Sequence, residues 1–225
     1  EASSNRKTLV EWNWNDAEVK TNADGTIAPD LGSGSLWCTD PAATHALDNE
    51  HNGLTTGAGL NSKNALKFEN TYWWNFDENT GYAVALKFST AGAGEKLSLN
   101  FTNSQGNAGA TSIHGPVYWQ VEYSTDGTNF TVLPESGFCA RPFVFWSATM
   151  TYCATPGYAD RVFILPDALR NQPEVTLLIK ARTAQCIASN TATVAEGDTG
   201  AITSDMPANK RSPMRFGTIA VKSNK

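Results

Sequence analysis

Val117-Tyr-Trp-Gln-Val-Glu-Tyr-Ser124, followed by Thr125-Asp-Gly-Thr-Asn-Phe130, decides the fold of this chain. Trp119, Val121 and Tyr123 fall on one face of an extended segment, and Gln120 and Glu122 fall on the other. That period of two is the mark of a strand half-buried in an antiparallel sheet. Ser124–Asn129 then supplies Asp126-Gly127, the residue types that close a tight hairpin.

The same alternation recurs on both sides. Thr8–Trp14 puts Val10, Trp12 and Trp14 on one face, Tyr82–Phe88 aligns Tyr82, Val84, Leu86 and Phe88, and Lys96–Asn103 aligns Leu97, Leu99 and Phe101. Further strands are expected at Ala65–Phe68, Phe130–Leu133, Phe143–Tyr152, Arg161–Leu165, Val175–Ala184 and Met214–Val221. Helical periodicity is confined to Pro166–Arg170, a single turn opened by proline. About ten strands and no long helix predict an all-β fold, an antiparallel β-sandwich of jelly-roll type. A single domain over residues 1–225 is expected, with two long connections near residues 16–64 and 185–213.

Composition narrows the function. Charged residues make up 17% of the 225 and the net charge is −5, while Thr, Asn and Ser number 25, 19 and 16. The basic residues are scattered, which argues against nucleic acid as a partner. No apolar run reaches the roughly 18 residues of a membrane-spanning helix. The chain opens at Glu1 without methionine, as a trimmed secreted chain does. Cys38, Cys139, Cys153 and Cys186 show no metal-site spacing. The four allow three full pairings: either at least one disulfide forms, with a Cys139–Cys153 bridge closing a short loop, or all four are buried thiols.

Trp119-Gln-Val-Glu-Tyr-Ser-Thr-Asp-Gly-Thr-Asn-Phe130 resembles the strand and turn W-x-[VL]-x-Y-S-x-D-G of galactose-binding-like jelly-roll modules. Such modules occur in secreted and surface proteins of carbohydrate-degrading Gram-negative bacteria. Ala65-Leu-Lys-Phe68, Leu165-Pro-Asp-Ala-Leu169, Val175–Ala184 and Met214–Val221 fit their other strands, so the similarity spans residues 60–221 with Thr8–Trp14 in front. The resemblance implies the jelly roll and an extracellular or cell-surface location, with lipid anchoring through a removed N-terminus as one route to the surface. It does not choose a ligand. Where the closing strand of these modules often carries Asp-Asn, this chain has Gly217-Thr218, and no ion or ligand role transfers there.

Catalytic signatures are missing. There is no G-x-S-x-G or H-E-x-x-H, and His45, His51 and His114 lack metal spacing. Glu11 and Glu122 both face outward and could meet across a sheet, as a catalytic pair or as an ordinary solvated face, which keeps a glycan-active hydrolase as the lesser alternative. For a structural calcium, which the resemblance allows, Asp16, Glu18 and Asp24 are the candidate oxygen ligands, although the same residues read as a polar turn. The strongest binding candidates are aromatic. Tyr72-Trp-Trp-Asn-Phe-Asp77 lies between strands, where two adjacent tryptophans are not expected both to point inward. Flat rings pack on sugar C–H groups while carboxylates and amides bond the hydroxyls. Tyr72, Trp73, Trp74 and Asp77 are therefore the expected ligand residues, followed by Trp37, Arg141 and Trp146. A non-catalytic carbohydrate-binding module is the function expected. An adhesive or structural domain with an envelope protein as partner is the competing one.

Overall fold

The computed structural model describes residues 6–48, 65–69, 71–105, 115–140, 159–186, 204–205 and 213–224. Its strands are β1 (Arg6–Trp12), β2 (Gly34–Cys38), β3 (Thr44–Asp48), β4 (Ala65–Glu69), β5 (Trp74–Asn75), β6 (Thr80–Gly81), β7 (Ala83–Phe88) and β8 (Ser98–Gln105). They continue with β9 (Tyr118–Ser124), β10 (Thr131–Val132), β11 (Phe138–Cys139), β12 (Ala159–Ile164), β13 (Val175–Ala181), β14 (Gln185–Cys186), β15 (Ser204–Asp205) and β16 (Met214–Asn224). The expected single turn after Leu165 is a short 3-10 helix, Asp167–Leu169.

Two six-stranded antiparallel sheets carry the fold. The first runs β12-β8-β16-β4-β3 with β1 also on β16; the second runs β10-β9-β13-β7-β2 with β11 also on β9. From β7 onward the long strands alternate between sheets, the wiring of a jelly roll. Each sheet turns one face inward: Leu99, Phe101, Phe216 and Val221 from the first meet Leu86, Trp119, Val121, Leu177 and Ile179 from the second. Burying these side chains stabilises by about 1.5–3 kcal/mol apiece, which outweighs ordering them.

Buried indoles keep their N–H groups satisfied. Trp12 Nε1 donates to the Ile27 carbonyl, Trp119 Nε1 to Pro116 and Trp14 Nε1 to Gly217. The last bond reaches an irregular stretch of the closing strand. β16 pairs with β4 through Met214–Phe216 and with β1 through Ile219–Asn224, and its register against β8 slips between Phe216 and Ile219. Gly217-Thr218 occupies this irregularity, and the buried Gly217 carbonyl there accepts from Trp14 Nε1.

Residues 16–64 are not one long connection. β2 lies within them as the edge strand of the second sheet, paired with β7 from Gly34↔Phe88 to Cys38↔Val84. β3 edges the first sheet against β4. Likewise Gln185–Cys186 pairs with Ser204–Asp205 inside the second expected connection. The strand expected at Phe143–Tyr152 lies outside the described residues.

The Ser124–Asn129 hairpin is organised by one carboxylate. Asp126 accepts from Asn129 Nδ2, from the Asn129 and Thr128 N–H groups, and from Ser124 Oγ. The Asn129 bonds foremost hold the Asp126 carboxyl well below the usual aspartate value of 3.8. A depressed folded-state value means that its contribution is complete above that ordinary value and is lost as the pH falls through the lower one. Asp126→Asn should therefore lower the denaturation midpoint at neutral pH, and the difference from wild type should shrink steadily under acid. A difference that grows toward low pH would contradict the assignment.

Candidate functional site

Six tryptophans lie among the described residues; Trp12, Trp14, Trp73, Trp74 and Trp119 are buried, and Trp37 stands half-exposed. Trp73 is wholly sealed and Trp74 is 7% exposed. The expectation that neighbours cannot both turn inward fails on one dihedral. Trp73 has φ 60, left-handed backbone that breaks the period of two and swings both indoles toward the core. Its amide donates to Thr71 Oγ1. Tyr72 is half-buried against the core, and Asp77 is exposed at a tip where Asn75 Oδ1 accepts from the Asp77 and Glu78 amides. The ring that reaches solvent there is Phe76, 40% exposed. The Trp73–Gly81 hairpin plugs the sandwich. Arg141 and Trp146 lie outside the described residues.

Trp37 sits on the outer face of the second sheet. Its neighbours in register are Ala85, Leu178 and Glu122, and the next row is Ser35, Lys87, Thr176 and Ser124. Ala85 is small, so the indole stands above a low floor. Trp37 borders two adjoining depressions, of about 410 Å3 and about 350 Å3. The first is floored by Lys87, Thr176 and Leu178 and walled by Trp37 and Thr39 on one side and Gly127 and Phe130 on the other, with Glu174 at the end. The second adds Asp24, Gly25, Thr26 and Ser35, and shares Trp37 and Lys87. Thr39 is fixed by exchanging hydrogen bonds with Ala83.

The groove thus offers rings, hydroxyls and both signs of charge. Lys87 Nζ lies 3.8 Å from Glu174 Oε2. Asp24 is held by bonds from the Thr26 hydroxyl and amide, which keep its carboxyl below the usual range, with Lys87 adding a smaller pull in the same direction. Of the residues that sequence pointed to, the structure brings Trp37 and Asp24 together. Lys87, Glu174, Thr176 and Phe130 were missed. For Lys87 and Thr176 the signal was available in the alternation of β7 and β13, whose outward positions line the groove; Glu174 and Phe130 lie just outside strands and carried none.

The calcium candidates do not converge. Asp16 pairs with Lys20 at 2.8 Å, Asp24 caps its own turn, and Glu18 is exposed. Among the described residues no group of three or more His, Cys, Asp or Glu is placed to hold an ion. Glu11 and Glu122 stand on outward faces of opposite sheets, β1 and β9, so that carboxylate pair is overturned. His45 and Cys38 line a smaller cavity of about 230 Å3. Burial pushes the Cys38 thiol up to about 12, so it stays protonated at neutral pH and is no nucleophile, and burial also lowers the His45 imidazole. Cys139 is buried; Cys153 and the Cys186 side chain lie outside the described residues.

No protein-family model matches the chain, and no curated protein is significantly similar. Among solved structures it is similar to the K2 cleaved adhesin domain of Lys-gingipain, with 10% identity, 98% of this chain and 99% of that one covered, and a TM-score of 0.43. It is also similar to the CBM22-1–GH10 modules of endo-1,4-beta-D-xylanase 10B from Clostridium thermocellum complexed with xylohexaose (10% identity, 96% of this chain, 29% of that one, TM-score 0.43). A third is a family 35 carbohydrate binding module from Clostridium thermocellum, at 12% identity, 83% and 90% coverage and a TM-score of 0.30. These scores are low, and the site stands on its own residues. No described helix is long and apolar enough to cross a membrane.

Proposed function

We propose that the chain is a non-catalytic carbohydrate-binding β-sandwich of an extracellular or cell-surface system, and that it binds in the groove beside Trp37. The observation that carries this reading is the contrast among the indoles: Trp37 is left at the surface, bordering two depressions, while every other described tryptophan is packed away. A pyranose laid on the Trp37 face buries its C–H side. Thr39 and Ser35 can give and take hydrogen bonds with its hydroxyls, Asp24 and Glu174 accept, and Lys87 donates. The groove volume falls in the range of small-ligand sites, roughly 300–1,000 Å3. The solved carbohydrate-binding modules it resembles agree with this reading without carrying it.

The test is retention on insoluble polysaccharides and titration against soluble ones. Wild type should bind at least one glycan, and Trp37→Ala should weaken that binding by at least about tenfold with an unchanged denaturation midpoint, since a half-exposed ring at a site centre acts on affinity more than on folding. Full binding by the variant would remove the site, and no binding by wild type across a broad panel would remove the function.

A further inference from the structure

Charge around the groove narrows the class of glycan. Lys87 is the one cation among the described lining residues of the two depressions, and it is flanked on one side by Glu174 and on the other by Asp24. Glu174 lies 3.8 Å from the ammonium and Asp24 shares the second depression with it, so among the described lining residues two carboxylates face one cation and leave the surface beside Trp37 net negative. The next charges on the same face, Lys180 and Glu122, lie 3.4 Å apart and cancel. The chain as a whole is also acidic, at −5. A polymer bearing a carboxylate on every sugar meets like charge on approach and, once seated, finds no unshared cation to pair with. A neutral chain meets neither obstacle, because its hydroxyls can donate to Asp24 and Glu174. The Lys87–Glu174 contact is exposed and weakly held, so it can open to admit a hydroxyl between its partners.

We infer that the groove selects neutral glycans and rejects polyuronates, with Asp24 and Glu174 as the excluding residues. This rests on the proposed carbohydrate-binding function and adds the class of ligand. Selectivity of this kind is built from a repulsive element as much as from attractive contacts.

The experiment is affinity electrophoresis of the whole chain with galactomannan, arabinoxylan and hydroxyethyl cellulose as neutral polymers, and polygalacturonate and alginate as polyuronates. Wild type should bind a neutral polymer at least about tenfold more tightly than either polyuronate at low salt. Asp24→Asn with Glu174→Gln keeps one acceptor oxygen at each position and removes both charges; it should narrow that gap to about threefold or less, and raised salt should then weaken its polyuronate binding selectively. Glu174→Gln alone, at a site whose ion-pair partner is the half-exposed Lys87, should narrow the gap in the same direction and serves where the double variant is poorly folded. Equal or tighter polyuronate binding by wild type, or a gap that the charge-neutral variants leave unchanged, overturns the selectivity and leaves the binding function standing. Failure of wild type to bind any of the five polymers overturns both.

Discussion

Trp73→Ala should lower the unfolding free energy by about 3–5 kcal/mol, the range for removing a large ring from a core that cannot collapse. Trp73 is fully buried between the sheets. Its ring meets Phe68 of β4 edge-on at 5.9 Å and 86°, and Trp119 of β9 at 5.1 Å and 65°. It therefore joins the first sheet to the second, and truncation leaves a void lined by two aromatic rings from different layers. Its backbone makes a second, sharper prediction. At φ 60 any residue with a Cβ carries a penalty of about 1–3 kcal/mol, and alanine keeps that penalty while losing the ring. Glycine relieves it, so Trp73→Gly should be at least as stable as Trp73→Ala, the reverse of the usual order in a strand. Urea denaturation of the three proteins reads both effects. A loss below about 1 kcal/mol for Trp73→Ala would show that the indole does not join the layers.

The sandwich was legible because its central strands obey a period of two over six or more residues. Tyr82–Phe88, Val117–Ser124 and Val175–Ala181 each put three or four apolar side chains on one face, and all three are central or near-central in the second sheet. The edges were not legible. In Gly34-Ser-Leu-Trp-Cys38 only Leu36 is fully buried, and Thr44-His-Ala-Leu-Asp48 is mostly exposed, because an edge strand packs one side chain where a central one packs three. The site suffered from the same cause. Trp37 belongs to an edge strand that read as loop, whereas Trp73-Trp74 attracted attention through an adjacency that one left-handed residue resolves. Backbone sign is not written in composition. Lys87 and Thr176 occupy the polar half of correctly read strands, and only the pairing of β2 with β7 and of β7 with β13 sets them beside Trp37.

Gly81→Ala should be as damaging as the loss of the Trp73 ring, for a reason of space alone. A Cβ on Gly81 would lie 1.8 Å from the Ala181 carbonyl oxygen and 2.7 Å from its carbon. Both are backbone atoms of β13, so no side chain can rotate away and the hairpin must lift. Lifting it strains the bonds that seat it, Tyr82 N–H to the Trp73 carbonyl and Ala181 N–H to the Tyr82 carbonyl, and opens the end of the core above Trp119. The expected destabilisation is about 3 kcal/mol or more, the upper end for overpacking combined with disturbed buried hydrogen bonds. This variant also separates scaffold from site. The hairpin that Gly81 seats closes the interior, whereas the groove occupies the outer face and is floored by Lys87, Thr176 and Leu178. Under conditions where Gly81→Ala and Trp73→Ala remain folded, both should bind glycan within about threefold of wild type, while Trp37→Ala, with wild-type stability, should not. If the hairpin variants lose binding while their near-ultraviolet dichroism stays native, the aromatic hairpin is the ligand surface and the Trp37 groove is not.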